Sequence, residues 1–365
     1  MRTVRSLWRP LLDRIVPYEA GKPLEALEQE LGVEGLVRLS ANESPLGPSP
    51  HVVAAICREA PRVHLYPDGG STALRQALAK RLGIAPEQVL AANGADELLT
   101  LLALAAFDIG DDIVIPRPSF EPYATVVTIA GASVRESPLA GYETDLDDMG
   151  RRVGPRTKAV IICSPHNPAT TIVRRRALLA LLDALGSDGP LVVLDEAYRD
   201  FCDDPDYPDG VELLERYPRL LVLRTFSKIA GLAGLRVGYA VAAAETIDRL
   251  NRVRAPYNVN RLAQIAAVAA LEDEAHLART RQVVLEERAF LSAELARRGY
   301  AFPASQANFL LVRVADPEAV RARLLRAGLI VRDGGAVGFP GHLRIAVGTH
   351  DVNLRLLAAL DGEGQ

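Results

Sequence analysis

The sequence has only three cysteines, Cys57, Cys163 and Cys202, and they lie far apart without a CxxC pair. This spacing argues against a disulfide framework and against a structural zinc site. No apolar run reaches the roughly 18 charge-free residues that a membrane span needs. The first ten residues are basic but lack the apolar stretch of a signal peptide. We therefore expect a soluble, cytoplasmic protein.

A strong excess of one charge is also missing. The formal net charge is −4, and no long block carries one sign. We therefore expect neither nucleic acid nor a membrane surface as a partner. The 365 residues suffice for about two domains, and the hydrophobic share of 49% is typical of a globular enzyme.

From about residue 51 to 255, short apolar runs alternate with helical patterns. This alternation predicts an α/β fold with a largely parallel sheet covered on both faces by helices. The predicted strands are 89–92, 112–115, 133–136, 158–163, 191–194, 220–223 and 237–241. Examples of the predicted helices are 72–82, 96–107 and 174–185.

After about residue 256 the pattern changes to long helical stretches followed by short strands. The predicted helices are 261–271, 275–298, 317–327 and 351–360, and the predicted strands are 309–314, 329–332 and 343–347. This order predicts a second, smaller α+β domain. We expect an N-terminal arm at 1–40 that packs with this small domain and carries a short helix at 23–31. A large domain at 41–255 and the small domain at 256–365 follow.

Lys228 follows the predicted strand 220–223, so it lies where doubly wound sheets bind their ligands. Apolar neighbours such as Phe226 would desolvate its amine and lower its pKa from about 10.4, which favours a nucleophile. Ser227 and Arg236 add a hydroxyl and a fixed cation, a combination suited to a phosphate. The alternative is an ordinary surface lysine in a glycine-rich loop.

Gly94, Ala95 and Asp96 follow a strand and begin an apolar helix. Free backbone N–H groups and the helix dipole at such a start suit a phosphate. The alternative is that Asp96 simply caps the helix.

Asp195 ends an otherwise apolar predicted strand. A carboxylate buried there needs a cationic partner. A helix cap and a metal ligand are the alternatives, and the second is disfavoured because Glu196 is the only suitably placed neighbour.

Several segments resemble one enzyme family. The segment 227–239, with Ser-Lys, Gly-Leu-Ala-Gly-Leu-Arg and Gly-Tyr, resembles the cofactor-lysine signature of class II aminotransferases in the pyridoxal 5'-phosphate (PLP) fold-type I superfamily. The segments 17–23, 42–47 and 254–260 are similar to those of the histidinol-phosphate aminotransferase subfamily. The resemblance covers the chain from Pro17 to about Leu360.

This resemblance implies PLP as the cofactor and names the residues around it. Lys228 would hold PLP and move the substrate proton, Asp195 would pair with the pyridine nitrogen, and Tyr198 would reach the ring hydroxyl. The implied cofactor-binding residues are Gly94, Ala95, Asp96, Phe120, Asn167, Asp195, Tyr198, Ser227, Lys228, Arg236 and Tyr66. The implied substrate-binding residues are Tyr18, Asn42, Arg332 and Arg344. Because Tyr66 matches a tyrosine that reaches the neighbouring subunit's cofactor phosphate, we expect a homodimer with shared active sites.

The loop 164–170 departs from the family's Asn-Pro-x-Asn-Pro-Thr-Gly pattern. Ser164, Ala169 and Thr170 stand where asparagine, threonine and glycine are usual, while Asn167 is kept. Loss of the glycine is expected to change the backbone angles open to the turn. The departure leaves the identity of the substrate open.

Three functions compete at this stage. The first is ping-pong transamination between histidinol phosphate and 2-oxoglutarate/glutamate, or of another amino or keto acid in a specialised pathway. The second is a PLP-dependent decarboxylase or lyase of a phosphorylated amino acid, since the same cofactor serves both reactions. The third is a cofactor-free α/β binding protein. The filled lysine, aspartate, asparagine, tyrosine and arginine positions disfavour the third.

Overall fold

A computed structural model describes residues 7–17, 22–32 and 34–362, which form twelve strands and thirteen α-helices. The strands are β1 (Val37–Arg38), β2 (Val89–Ala92), β3 (Asp112–Arg117), β4 (Ser133–Pro138), β5 (Thr157–Cys163), β6 (Leu191–Asp195), β7 (Leu220–Thr225), β8 (Gly238–Ala242), β9 (Phe309–Arg313), β10 (Leu329–Ile330), β11 (Arg332–Asp333) and β12 (His342–Ala346). The helices are α1 (Leu24–Leu31), α2 (Pro50–Glu59), α3 (Thr72–Leu82), α4 (Ala95–Ala106), α5 (Pro122–Ala130), α6 (Leu146–Arg151), α7 (Arg175–Leu185), α8 (Gly210–Leu213), α9 (Ala244–Val253), α10 (Arg261–Glu272), α11 (Glu274–Arg297), α12 (Pro317–Arg326) and α13 (His350–Asp361).

Seven strands form the large sheet, in the order β2-β8-β7-β6-β5-β3-β4. β8 runs antiparallel to both of its neighbours, whereas the other neighbouring pairs are parallel. The predicted mostly parallel seven-stranded sheet is therefore confirmed. Because the parallel strands run in one direction, their carboxyl ends meet at one edge of the sheet.

Helices cover both faces of the large sheet, as the sequence pattern predicts. Alternate residues of each strand point to opposite faces, so Leu221 and Leu223 pack with α4, α5 and α9, while Leu220 and Val222 pack with α6, α7 and α8. All four leucine and valine side chains are fully buried. Each contributes about 1.5–3 kcal/mol through burial of apolar surface.

Polar side chains mark where several helices begin. Ser49 accepts a hydrogen bond from the backbone of Val52 at the start of α2, and Asn260 accepts one from Ala263 at the start of α10. Such a cap satisfies a backbone N–H that has no partner inside the helix.

A three-stranded antiparallel sheet, β11-β12-β9, follows the long helix α11. It packs with α11, α12 and α13 around a second apolar core. The single strand predicted at 329–332 is wrong, because the chain switches partners there. β10 pairs in parallel with β1, whereas β11 pairs with β12.

The N-terminal region contacts both parts of the molecule. β1 pairs with β10, and the 3-10 turn Pro10–Arg14 contacts α5. The division into an arm at 1–40, a large domain at 41–255 and a small domain at 256–365 stays a prediction. Among the described residues, no helix is long and apolar enough to cross a membrane.

Candidate active site

The predicted site residues follow the carboxyl ends of five neighbouring strands. Gly94 follows β2, Phe120 follows β3, Asn167 follows β5, Asp195 ends β6 and Lys228 follows β7. Since these strand ends share one edge of the sheet, residues far apart in sequence come together there.

One cavity of about 490 Å³ lies at this edge, between the large sheet and the small one. The predicted site residues that line it are Asn42, Ala95, Asp96, Phe120, Asn167, Asp195, Tyr198, Ser227, Lys228, Arg236, Arg332 and Arg344. Gly94 does not line the cavity itself, but it packs against the side chain of Arg236, which does. Tyr66 does not line the cavity; its side chain is 77% exposed and stacks on Tyr257. Tyr18 lies outside the described residues.

Lys228 is held inside the cavity. Its Nζ donates a hydrogen bond to the Ala41 carbonyl oxygen at 3.1 Å and lies 5.6 Å from the centre of the Tyr198 ring. Desolvation, helped by the charge of Arg344, lowers the pKa of Lys228 to about 8. The alternative of an ordinary surface lysine is therefore wrong, and a substantial share of its amine is neutral near pH 8.

Asp195 is 4% exposed and has a hydrogen-bond donor on each carboxylate oxygen. The Tyr123 hydroxyl donates to Oδ2 at 2.6 Å, and the Ala197 N–H donates to Oδ1 at 3.0 Å. Burial raises the pKa of Asp195 to about 6, while the two donors oppose that rise. Asp195 does not cap a helix, because the next helical turn, Arg199–Phe201, has Tyr198 at its start.

Metal binding has no support at Asp195. Within the described ranges, no cluster of three or more histidine, cysteine, aspartate or glutamate side chains could hold a metal ion. The carboxylate instead faces the cavity that holds Lys228.

The start of α4 faces a hydroxyl and a guanidinium. Gly94 precedes the helix with a φ of 80°, and a Cβ there would lie 2.6 Å from Arg236 Nη2. Arg236 Nη1 donates to Ser227 Oγ at 3.4 Å, and its Nη2 donates to Asp96 Oδ2 at 3.0 Å. The capping alternative for Asp96 is wrong, because Gly94 occupies the cap position and Asp96 pairs with Arg236. The helix start, hydroxyl and cation form a cradle for an anion.

Two arginines of the small sheet also line the cavity. Arg332 and Arg344 are directly paired across β11 and β12. Arg344 Nη1 donates to Asn167 Oδ1 at 2.8 Å, and its Nη2 donates to the Ser40 carbonyl oxygen at 2.6 Å. Arg344 therefore links the small sheet to the loop that follows β5.

The loop 164–170 places Thr170 in a backbone conformation that glycine adopts readily. Thr170 has a φ of 70°, in the left-handed region, and is fully buried. The expected effect of the missing glycine on the turn stays a prediction. A β-branched residue in this conformation costs about 1–3 kcal/mol and persists because the surrounding contacts impose it. The Thr170 N–H donates to the His166 carbonyl, and its own carbonyl accepts from Gln306.

Sequence reasoning missed several residues at the site. Tyr123 hydrogen-bonds Asp195, Thr225 accepts a hydrogen bond from the Ser227 N–H at 3.1 Å, and Asn308 Nδ2 donates to the Asn42 carbonyl at 3.1 Å. Of these residues, only Tyr123 could have been predicted from the sequence. It lies three residues after Phe120, so one turn at the end of β3 places both side chains beside the cavity.

Comparison with known proteins agrees with this geometry. The model of the family "Aminotransferase class I and II" matches residues 34–360. The chain belongs to that family. Histidinol-phosphate aminotransferases from Caldicellulosiruptor saccharolyticus and Moorella thermoacetica are 39% and 42% identical to it. The alignments cover 97% and 95% of this chain and 99% and 90% of those proteins.

A solved structure shows the same fold. Histidinol-phosphate aminotransferase from Sinorhizobium meliloti, in complex with pyridoxal-5'-phosphate, superposes with a TM-score of 0.89 at 28% identity. The match covers 100% of this chain and 99% of that one. The predicted family, fold-type I architecture, aminotransferase class and PLP cofactor are confirmed. The roles of the individual site residues stay predictions.

Proposed function

We propose that this aminotransferase acts on histidinol phosphate and passes the amino group to 2-oxoglutarate. One observation carries the proposal: a single cavity joins Lys228 and Asp195 to Arg332 and Arg344. The cavity thus combines a reactive amine with two cations, which suits an amine that bears a phosphate. The relatives that match nearly the whole chain carry this activity in their names.

The residues present fit PLP. Ser227, Arg236 and the start of α4 form the anion cradle for its phosphate, and a Cβ at Gly94 would displace the Arg236 guanidinium from its present position. Asp195 would hold the protonated ring nitrogen, and Phe120 would stack on the ring. Tyr198 and Asn167 would donate to the ring hydroxyl. When bound, PLP supplies an electron sink for the bond electrons of the substrate α-carbon.

Lys228 would do the proton transfer. The neutral amine would take the proton from the substrate α-carbon and, as a general acid, deliver it to the C4' carbon of PLP. Its lowered pKa makes the neutral form accessible near pH 8. Its Nζ lies 5.6 Å from the centre of the Tyr198 ring, and both residues line the cavity.

Arg344 and Arg332 would bind the anionic group of the substrate. Arg344 presents its guanidinium between Asn167 and the Ser40 carbonyl, so its plane is fixed before a ligand arrives. The same fork can meet the phosphate of histidinol phosphate in one half-reaction and a glutamate carboxylate in the other. Sharing one site between two substrates predicts ping-pong kinetics. Asn42 and Tyr18 complete the predicted substrate contacts.

The proposed assembly is a homodimer. Tyr66 is exposed and lies outside the cavity of its own chain, which supports a role in the active site of the partner subunit. Sedimentation equilibrium tests this assembly. A monomeric, fully active enzyme would contradict it. The cytoplasmic location expected from the sequence stays a prediction.

The test of the proposed function is a product assay with histidinol phosphate and 2-oxoglutarate. Glutamate should form, and histidinol without its phosphate should react with a kcat/KM lower by roughly 10- to 100-fold, because hydrogen bonds to charged groups contribute about 1.5–3 kcal/mol. Glutamate formation from another amine alone would refute the substrate. In a parallel assay with a phosphorylated amino acid as the substrate, release of carbon dioxide without glutamate would instead indicate the decarboxylase considered above.

A further inference from the structure

Tyr123 is a buried tyrosine that hydrogen-bonds Asp195. It lies in the first turn of α5, is fully buried, and donates its hydroxyl to Asp195 Oδ2 at 2.6 Å. The edge of its ring packs against Phe120, with ring centres 5.5 Å apart and planes at 81°. One side chain thus contacts both the carboxylate and the aromatic ring predicted to flank the cofactor.

The Asp195 carboxylate has few other sources of support. Its only other hydrogen bond from the described residues comes from the Ala197 N–H, on Oδ1. Burial disfavours its charged form, and the nearby carboxylates of Asp96 and Glu196 add to that effect. A tyrosine hydroxyl donates to the charged carboxylate, so it opposes protonation of Asp195.

We propose that Tyr123 is a positioning residue, which keeps the Asp195 carboxylate charged and fixes the direction in which it faces the cavity. The proposal rests on the proposed function, in which Asp195 holds the protonated ring nitrogen of PLP. If Asp195 took up the proton, its charge would no longer hold that nitrogen in the protonated form. Tyr123 would then determine the lowest pH at which the site works by acting through Asp195.

Other titratable groups around Asp195 do not replace this donor. They are Cys163 on the neighbouring strand β5, Asp96 on α4, Glu196 and Tyr198 in the following turn, and Lys228 in the same cavity. The two carboxylates act against the charge of Asp195. The Tyr198 hydroxyl accepts a hydrogen bond from Asn42, and the Cys163 thiol donates to the Pro165 carbonyl.

The decisive variant is Tyr123→Phe, which keeps the ring and its packing but removes the donor. Two quantities are followed against pH: the kcat/KM of the holoenzyme and the affinity of the apoenzyme for PLP, measured by absorbance titration. Asp195, with a pKa of about 6, sets an acidic limit below the one that Lys228 sets near pH 8. The limit set by Asp195 should move to higher pH by roughly one to two units in both profiles, the shift expected for losing a hydrogen bond to a charged group. Above that limit, both quantities should approach the wild-type values.

Tyr217→Phe is the matched control. The Tyr217 hydroxyl also donates to a carboxylate, that of Asp183 at 2.7 Å, but outside the cavity. This variant should leave both pH profiles unchanged. An unchanged acidic limit in Tyr123→Phe, with a uniform loss of activity at every pH, would show a packing role only and would overturn the proposal.

A second variant covers the case in which Tyr123→Phe does not fold. Replacing Tyr123 by 3-fluorotyrosine strengthens the donor at nearly constant shape, so the acidic limit should move to lower pH. A limit that stays in place, or moves upward, would also refute the proposal. Failure of the proposed function is distinguishable, because the wild-type protein itself would then fail to bind PLP or to form glutamate.

Discussion

Replacing Glu196 by glutamine should destabilise the protein by about 3 kcal/mol. Glu196 directly follows Asp195, and its side chain is fully buried. Its Oε2 accepts from Arg224 Nε at 2.8 Å, and its Oε1 accepts from the Gly210 N–H at 2.9 Å. Arg224 lies in β7, four residues before Lys228, so this ion pair joins the two strand ends that carry the site.

The magnitude follows from what remains after the change. Removing one partner of a buried ion pair costs about 3–5 kcal/mol, because the other charge stays buried without full compensation. Arg224 retains Asp209, whose Oδ1 lies 2.6 Å from Nη2. The loss should therefore fall at the lower end of that range. A glutamine would have to turn its NH₂ group toward either Arg224 or the Gly210 N–H. Because both of these groups are donors, one of the hydrogen bonds that Glu196 accepts would be lost.

Equilibrium unfolding in urea, followed by far-UV circular dichroism, measures this loss. Asp183→Asn is the matched control, because Asp183 also pairs with an arginine, Arg216, at 2.8 Å, but its side chain is 51% exposed. The control should lose less than about 1 kcal/mol. An equally small loss for Glu196→Gln would refute the view that this pair holds the two strand ends together.

Three further outcomes are expected. The rate at which the apoenzyme takes up PLP should rise with pH and level off above about 8, because Lys228 must lose its proton and its pKa is lowered to about 8. Absorbance measures this rate. Uptake at the same rate by Lys228→Arg would contradict the role of the amine. Thr170→Val should stabilise the protein by about 1 kcal/mol, because the Thr170 hydroxyl is buried without a hydrogen-bond partner among the described residues. Both side chains are β-branched, so the backbone strain at this φ should not change. A loss of stability in urea unfolding would contradict this. Arg344→Lys should raise the KM for glutamate at least about 10-fold. A lysine cannot hold Asn167, the Ser40 carbonyl and a carboxylate in one plane. An unchanged KM in steady-state kinetics would exclude Arg344 from substrate binding.

The strands of the large sheet could be predicted closely from the sequence. Strands buried on both faces are continuous apolar runs, and their ends are marked by turns. The predictions stopped at the last apolar residue, whereas β6 continues to Asp195 and β7 continues to Thr225. These polar residues still belong to the ladder because backbone pairing does not depend on the side chain.

Contacts between distant segments could not be predicted in this way. The separation of β10 from β11 depends on where β1 and β12 lie, and no local pattern around residue 331 records that. Lys228, Asp195 and Asn167 were found because motifs with known chemistry contain them. The left-handed backbone angle of Thr170 could not be predicted either, because contacts with His166 and Gln306 impose it rather than the residue's own preference.

The segment 40–43 contributes to the cavity mainly through its backbone. The carbonyls of Ser40, Ala41 and Asn42 accept hydrogen bonds from Arg344, Lys228 and Asn308, respectively. Since every residue type has such a carbonyl, mutations at 40 and 41 can accumulate without loss of these acceptors. Shortening the chain by one residue in this segment would shift all three acceptors at once. We therefore expect this part of the molecule to tolerate change in residue identity far better than change in length.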